Sequence, residues 1–380
     1  MTIRQYRLPH TVIGDGAAEE AGALLKERGA RRALVVCDKG VHQLGLVDGV
    51  LSSLKEAGIG FEIFSDVTPE LPLEDVEKAI EAVRAGGFDA VVGVGGGSAL
   101  DAAKCAAGIG PRDGSVAEYA AGERAVDGPG LLSLSIPTTA GTGAEASPNA
   151  LVKTPSGKKA VISPHIIPDV AVLDATLTVS LPQRITAWTG VDALAHAWES
   201  LVARRSNPYS DMYAREAIRL IARSLRGAVH SGAIEYRREM LYASYLAGFC
   251  IAHAGTGLAH ALAYPLGERY HLHHGYSVAI VLGAVMEYNH PACLEKMAEL
   301  APLLGEGEAA SATARADRSL AALRRLLDDV GVPRSLREAG VEREALDWIA
   351  EGTVKIERLI VNNPRRVELN DVVTLLQKAY

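Results

Sequence analysis

GVGGGSALDAAK, from Gly93 to Lys104, is the stretch of sequence that decides the fold. It follows the apolar run Asp89–Gly95, which is typical of a buried strand, and its alanines continue into a helical pattern. Consecutive glycines at such a turn let the backbone approach a ligand closely, and the free N–H groups of the helix N-terminus attract a phosphate. An ordinary strand–helix turn is the alternative. The stretch therefore predicts an α/β sheet with a phosphate-binding turn at one strand end.

Short β-branched runs alternate with helical patterns through the first half of the chain. The predicted strands are Arg32–Asp38, Phe61–Val67, Asp89–Gly95, Leu131–Thr139 and Asp169–Thr178. Leu73–Gly87 has the apolar spacing of an amphipathic helix and ends on glycine. This alternation predicts a parallel sheet that is covered by helices on both faces.

The strand pattern stops near Leu181, and the second half is predicted to be helical. Ser210–Val229, Ala316–Gly331 and Arg343–Gly352 all have helical period. We predict two domains, an α/β domain over residues 1–181 and an all-α domain over residues 182–380.

Composition argues against several classes of partner. The net charge is −7 and no long basic run occurs, so neither nucleic acid nor an anionic membrane is expected as a partner. The uncharged segment Leu241–Ala263 contains His253, His260 and several glycines, which favours a buried helix over a membrane span. The four cysteines are widely separated and fit a reduced, cytoplasmic compartment.

Two further features of the first half suggest a nucleotide. The turn Ile136–Ser147 also follows a strand and contains Thr138, Thr139 and Thr142. Two such turns in one sheet favour a nucleotide crevice. Asp38 ends a strand at the edge where α/β sheets bind ligands, and a carboxylate there suits a ribose diol. A purely local role of Asp38, as a helix N-cap or a turn residue, is an equally good interpretation.

Four residues of the second half suggest a metal site. Asp192 and His196 lie four apart, on one face of an otherwise apolar helical segment. His260 and His274 flank a second short helical segment. Burying these groups unpaired is costly. For Asp192 and His196 alone, a pairing of the two side chains with each other is an equally good explanation. One Asp and three His in apolar surroundings favour a metal site.

The ligand types narrow the choice of metal. The set has no thiolate, and four protein ligands close a tetrahedral zinc site, whereas catalytic zinc keeps a position open. Fe(II) exceeds four-coordination readily, and Zn(II) less so. Zn(II) binds such ligands more tightly, so metal availability would decide between the two.

The chain resembles the iron-containing (group III) alcohol dehydrogenases over nearly its whole length. The motifs that carry this resemblance are GGGSALDAAK, IPTTAGTGAEAS, SPHIIPDVAVLDATLTVSLP, TGVDALAHAWE and GLAHALAYPLG…HHG, in the family's order. The resemblance implies an NAD-binding α/β domain over residues 1–181, a helical metal-binding domain over residues 182–380, and a metal in the cleft between them.

The resemblance also implies the residues of the site. The implied metal ligands are Asp192, His196, His260 and His274. The implied cofactor contacts are Asp38, Gly95, Gly96, Gly97, Ser98, Asp101, Thr138, Thr139, Thr142 and Lys158.

Three positions depart from the family's pattern. Tyr264 stands where many members have a second histidine, Glu70 or Leu71 replaces a common asparagine, and His273 replaces a proline. A phenol stays protonated near pH 7, so we expect Tyr264 to shape the pocket and donate a hydrogen bond. His271 or His273, water or the ribose would then release the proton. A Tyr264 that merely packs is the alternative.

The resemblance predicts a metal-dependent NAD(P)-linked alcohol dehydrogenase or aldehyde reductase that prefers NAD to NADP. Its partner would be a small-molecule alcohol or aldehyde of unspecified identity, and the chain would form a homodimer or larger homo-oligomer. One alternative is a lyase like dehydroquinate synthase, which would need a basic pocket that the apolar segment Leu241–Leu266 does not offer. The other is a non-catalytic NAD or metal sensor, which could dispense with an intact ligand set.

Overall fold

The computed structural model describes residues 5–155, 157–307 and 309–380. Its strands are β1 His10–Ile13, β2 Arg32–Asp38, β3 Gly60–Val67, β4 Ala90–Gly95, β5 Leu132–Pro137, β6 Asn149–Thr154, β7 Gly157–Ile162 and β8 Val170–Leu173. Its first six helices are α1 Ala21–Glu27, α2 Lys39–Gln43, α3 Asp48–Glu56, α4 Leu73–Gly86, α5 Gly97–Ile109 and α6 Val116–Ala121.

The remaining helices all follow Leu181. They are α7 Gln183–Val202, α8 Pro208–His230, α9 Ile234–Ala254, α10 Leu258–Tyr270, α11 His274–Asn289, α12 Leu294–Leu303, α13 Ala312–Asp329, α14 Leu346–Val354, α15 Glu357–Ile360 and α16 Leu369–Ala379. The chain divides into two compact units, Tyr6–Ser180 and Leu181–Tyr380, and Gln5 belongs with the second.

A six-stranded parallel sheet forms the centre of the first unit, in the order β1-β8-β5-β4-β2-β3. Along β2 the side chains alternate between two cores. Leu34 and Val36 pack with residues of α4 and α5, while Val35 and Cys37 pack with residues of α1 and α3. The α/β fold class, with helices on both faces of a parallel sheet, is therefore confirmed.

Local details differ from the sequence prediction. The predicted strand Asp169–Thr178 was too long, because β8 ends at Leu173 and a 3-10 turn follows at Ala175–Thr178. Asp174 causes this ending, since its side chain accepts a hydrogen bond from the Thr176 N–H and caps the turn. The antiparallel hairpin β6–β7 was not predicted.

The second unit is helical, as predicted. α8 is amphipathic and begins at an Asn207 capping box with Pro208 in its first turn. By contrast, α7 is buried on almost every side from Thr186 to Val202. Polar side chains on α7 therefore lie in an apolar interior and need specific partners.

None of the described helices is by itself long and apolar enough to cross a membrane. The pair α9 and α10, which meet at 105°, satisfies the length and composition test only when the two are joined.

Candidate metal centre and nucleotide-binding turns

Three helices of the second unit bring the four predicted metal ligands together. Asp192 and His196 project from one face of α7, one turn apart. His260 lies on the first turn of α10, and His274 is the first residue of α11. The first three of these residues are buried, whereas 21% of the His274 side chain is exposed. His274 therefore marks the accessible side of the cluster.

One carboxylate oxygen lies at the centre of the cluster. Oδ1 of Asp192 lies 3.6 Å from Nε2 of His260, 3.8 Å from Nε2 of His196 and 3.8 Å from Nε2 of His274. These separations exceed normal hydrogen-bond lengths but fit ligands around one cation. Ligand atoms of Asp192, His260 and His274 all lie within 4.8 Å of one another, a group that does not include His196.

Two buried atoms of this cluster need a partner. Oδ1 of Asp192 and Nε2 of His260 have no hydrogen-bond partner among the residues that the structure describes. Leaving buried polar atoms unsatisfied costs about 1–3 kcal/mol each. A divalent cation bound to both atoms removes that cost, so the donor set fits a metal of the type bound by Asp and His.

The charges of the cluster also favour a cation. Burial by itself would raise the pKa of Asp192, but the three neighbouring histidines hold it well below its ordinary value. Burial opposes the charged form of His260, yet its contacts with Asp192 and Glu199 raise its pKa above the ordinary value. Two buried carboxylates therefore create a negative potential that a metal ion can neutralise.

Glu199 orients one of the ligands and was not among the predicted site residues. Its carboxylate accepts a hydrogen bond from Nδ1 of His260 at 2.6 Å. It also accepts bonds from the backbone N–H groups of Gly257 and Ala259, at the N-terminus of α10. With Nδ1–H bonded to Glu199, His260 presents Nε2 on the side of Asp192, where a metal ion could take the place of the second proton. The sequence signal that could have identified Glu199 was an acidic residue three positions after His196 in an apolar helical segment.

Glu199→Gln is therefore expected to weaken metal binding by about 10- to 100-fold while the chain still folds. An amide can accept from only one side, so it cannot satisfy the imidazole and both backbone donors together. Competition with a chelator measures the change, and Glu216→Gln, in an ion pair on α8, serves as the control. Unchanged metal affinity would contradict the orienting role.

A glycine allows α11 to approach α7. A Cβ atom added to Gly275 would lie 2.5 Å from the backbone oxygen of Trp188 and 3.4 Å from Cβ of Asp192. Only glycine fits so close a contact. Since Gly275 follows His274 directly, this contact brings the fourth ligand to the cluster.

The topology of the first unit brings Asp38, the glycine turn and the threonine turn to one sheet edge. The connection after β2 leads outward to β3, while the connection after β4 leads the opposite way to β5. The adjacent ends of β2 and β4 therefore form the switch point where parallel sheets bind ligands. Asp38 ends β2, Gly95 ends β4, and the threonine turn follows β5.

The glycine turn is packed tightly between these ends. Gly95 has a φ of +151°, and an added Cβ would lie 2.7 Å from Cβ of Ala99 and 3.6 Å from Oδ2 of Asp38. On Gly97 it would lie 2.7 Å from Cγ2 of Thr142. Gly97 also begins α5, whose N-terminus faces this edge. The turn thus offers free backbone N–H groups beside the hydroxyls of the second turn.

Asp38 has the N-cap role that the sequence offered as an alternative. Its Oδ1 accepts a hydrogen bond from the Val41 N–H and caps α2. Its Oδ2 lies on the side of Gly95. One oxygen therefore caps a helix and the other lies by the glycine turn, while contact with a ribose hydroxyl stays a prediction.

Asp101 is turned into the protein. Oδ1 accepts from Lys104 at 3.2 Å and Oδ2 accepts from the Leu151 N–H at 2.8 Å. Lys104, which is 1% exposed, also donates to the backbone oxygens of Ala144 and Asn149. The pair therefore joins α5 to the segment that carries the second turn. Direct contact between Asp101 and a cofactor stays a prediction.

Lys158 contacts an acidic side chain at a strained turn. Its Nζ lies 2.6 Å from Oε2 of Glu70. Glu70 and Leu71 both have positive φ, 69° and 51°, which non-glycine residues rarely adopt. At this position, where the family's pattern has an asparagine, the Glu70 carboxylate thus lies beside Lys158, a predicted cofactor contact.

Glu145, in the threonine turn, is a buried acid that sequence reasoning missed. It is 1% exposed, and neither carboxylate oxygen has a hydrogen-bond partner among the described residues. Burial raises the pKa of this carboxyl to about 7. The folded chain therefore holds a proton that the unfolded chain releases near pH 4.5.

Glu145→Gln is expected to stabilise the fold at alkaline pH and to have little effect at pH 4. Wild-type stability falls as pH rises from about 4.5 to 7, because only the folded state still holds this proton, whereas glutamine does not titrate. The difference in unfolding free energy should approach about 3 kcal/mol above pH 7. Urea unfolding of both chains at pH 4, 6 and 8 measures it, and a difference independent of pH would contradict the assignment.

The three predicted catalytic residues lie in different settings. His271 is an exposed residue that ends α10 with a φ of 52°. His273 is exposed, caps α11 by accepting from the Gly275 N–H, and lies 5.6 Å from the Trp188 ring. Tyr264 is half-buried, and its ring lies 6.2 Å from that of His274. Tyr264 is thus beside the predicted metal ligand His274, and roles in proton transfer stay predictions for all three.

Both units of the chain match models of one known protein family. A family model described as iron-containing alcohol dehydrogenase matches residues 9–175, and the C-terminal model of the Fe-containing alcohol dehydrogenase family matches residues 186–380. A long-chain-alcohol dehydrogenase from Geobacillus thermodenitrificans is 40% identical over 98% of this chain and 95% of its own length.

A second relative and a solved structure agree with these matches. The NAD-dependent methanol dehydrogenase of Bacillus methanolicus is 35% identical, over 98% of each chain. The crystal structure of a 1,3-propanediol oxidoreductase superposes with a TM-score of 0.95 at 33% identity, covering 100% of both chains.

Proposed function

Since this chain belongs to the iron-containing alcohol dehydrogenase family, we propose that it interconverts alcohols and aldehydes with a nicotinamide cofactor at the Asp192 cluster. The observation that carries the proposal is the pair of unsatisfied buried atoms, Oδ1 of Asp192 and Nε2 of His260, beside two further histidines. A lyase or a sensor is not favoured by these relatives.

We propose that Asp192, His196, His260 and His274 hold one divalent ion, Fe(II) in preference to Zn(II). When bound, the metal supplies Lewis-acid polarisation of a substrate oxygen, and the cofactor supplies the hydride chemistry. The residues of the chain would bind and orient these groups and would exclude water from them. Burial of Asp192 and His260 keeps water from the ligand side, and Glu199 holds the His260 tautomer.

The glycine turn and the threonine turn are proposed to bind the cofactor. Gly95, Gly96, Gly97 and Ser98 would bind the pyrophosphate through backbone N–H groups. Thr138, Thr139, Thr142 and Lys158 would supply further hydrogen bonds. The close packing of Gly97 against Thr142 supports a rigid, preformed site.

Asp38 is proposed to make NAD the preferred cofactor. A carboxylate accepts from ribose hydroxyls and repels a 2′-phosphate. Asp38→Asn keeps a side-chain oxygen for the α2 cap and removes the charge, so the preference for NAD should fall by about 10- to 100-fold with little loss of stability. Ratios of kcat/KM with the two cofactors test this, and a wild type that already favours NADP would disprove it.

The proposed activity is tested with the metal-loaded chain and a panel of aldehydes. Steady NADH consumption with an aldehyde is expected, and it separates an enzyme from a sensor. Net redox turnover, rather than transient cofactor reduction, separates a dehydrogenase from a lyase. We further propose a cytoplasmic location, since all four cysteines are buried free thiols. We also propose a homo-oligomer, because the family resemblance implies assembly. Light scattering tests the oligomeric state.

A further inference from the structure

A guanidinium group contacts Tyr264, whose ring neighbours that of His274 in the Asp192 cluster. The Arg358 side chain donates a hydrogen bond to the Tyr264 hydroxyl at 2.8 Å, and its Cζ lies 5.9 Å from the centre of the phenol ring. The two residues are 94 positions apart and meet because α15 packs against α10. The same ring lies 6.2 Å from that of His274, at an interplanar angle of 30°. Tyr264 thus links a metal ligand to a cation.

Arg358 still has hydrogen bonds to offer. A guanidinium carries five N–H donors, and Tyr264 takes only one of them. Within residues 5–155, 157–307 and 309–380, no carboxylate lies within ion-pair distance of Arg358. The side chain is exposed, whereas its neighbour Leu359 is buried. Within those ranges its charge therefore has no ion-pair partner, and it lies 5.9 Å from the centre of the Tyr264 ring, the neighbour of His274.

Arg358 is not required to hold α15 in place. Leu359 packs into the core with 3% exposure, and Asn362 donates hydrogen bonds to the backbone oxygens of Ala254 and Thr256 at 2.8 Å. These contacts join α15 and the residues just after it to the core and to the end of α9. Among the described residues, the Arg358–Tyr264 contact is therefore not the only one that holds α15.

We propose that Arg358, oriented by Tyr264, binds an anionic group at the far end of the substrate, so that the preferred aldehydes and alcohols carry a carboxylate or sulfonate. A guanidinium recognises such groups by two parallel hydrogen bonds, which specify distance and orientation together. The hydrogen bond from Arg358 to Tyr264 reduces the freedom of a long side chain before substrate binds. This inference rests on the proposed function, because it names the substrate class of that site.

The test compares aldehydes of equal length that end in a carboxylate or in a methyl group. Arg358→Met should lower kcat/KM for the carboxylate series by about 10- to 100-fold and change it for the methyl series by less than about 3-fold. Arg358→Lys should retain part of the preference, and Tyr264→Phe should lose a smaller part. Arg365→Met is the matched control, since Arg365 also lies over a tyrosine ring, 4.1 Å from that of Tyr288.

A binding measurement without turnover supports the same conclusion. 1-Propanesulfonate, a poor metal ligand, should bind the metal-loaded chain with NADH present, and its Kd should rise at least about 10-fold in Arg358→Met. Metal content and Tm report whether each variant remains folded and loaded.

The outcomes separate this inference from the proposed function. No turnover with any aldehyde would overturn the proposed function itself. Turnover with methyl-ended aldehydes, together with an unchanged carboxylate-to-methyl ratio in Arg358→Met, would overturn only the role of Arg358. A preference of the wild type for long methyl-ended substrates would also overturn it.

Discussion

Replacing His260 by alanine is expected to release the metal and lower kcat at least about a thousand-fold. His260 provides one of the two unsatisfied buried atoms of the Asp192 cluster, and Glu199 accepts a hydrogen bond from its other ring nitrogen. A bound metal contributes several kcal/mol of stabilisation to the developing alkoxide, and about 4 kcal/mol corresponds to three orders of magnitude in rate. Elemental analysis and steady-state kinetics on the same preparation measure both losses.

His253→Ala is the matched control for losing a buried imidazole. His253 lies on α9, its Nδ1 is 2.8 Å from the backbone oxygen of Phe249, and its ring lies near Tyr209 and Tyr213 rather than the cluster. This variant should lose stability but keep its metal. Full turnover by metal-free His260→Ala would show that the cluster is not the catalytic centre.

Gly95→Ala is expected to raise the Kd for NAD by about 100-fold and leave metal affinity unchanged. The residue's φ of +151° is closed to alanine, and the new methyl group would meet Cβ of Ala99 at 2.7 Å. Relieving that contact displaces the start of α5, whose N–H groups are proposed to bind the pyrophosphate. Strain and misplacement of this kind cost about 2–3 kcal/mol, which corresponds to the stated change in Kd. Quenching of protein fluorescence by NADH measures it.

Gly16→Ala separates this effect from backbone strain alone. Gly16 also has a positive φ, 77°, in the same unit, but an added Cβ meets nothing within 4 Å. Its replacement should lower Tm without changing the Kd for NAD. Equal losses of cofactor affinity in the two variants would contradict a specific role for the Gly95 turn.

Secondary structure and the chemistry of the ligands were predictable from the sequence, because both depend on local patterns. β2 occupies the predicted range Arg32–Asp38, and α4 ends one residue before the predicted Gly87. Asp192 and His196 share a face because helical period alone requires it. The β6–β7 hairpin was missed because its strands contain lysines and only a weak alternation of apolar residues.

Relations between distant residues were decided only by the tertiary structure. Periodicity does not show that Glu199 caps α10 and orients His260, since 61 residues separate them. Nor does it show that Asp101 turns inward to Lys104, or that Arg358 meets Tyr264. By itself the sequence determined which side chains can bind a metal and which turns can approach a phosphate. Tertiary packing decided which buried atoms remain unsatisfied and which cation contacts Tyr264, because those properties depend on neighbours brought together only by folding.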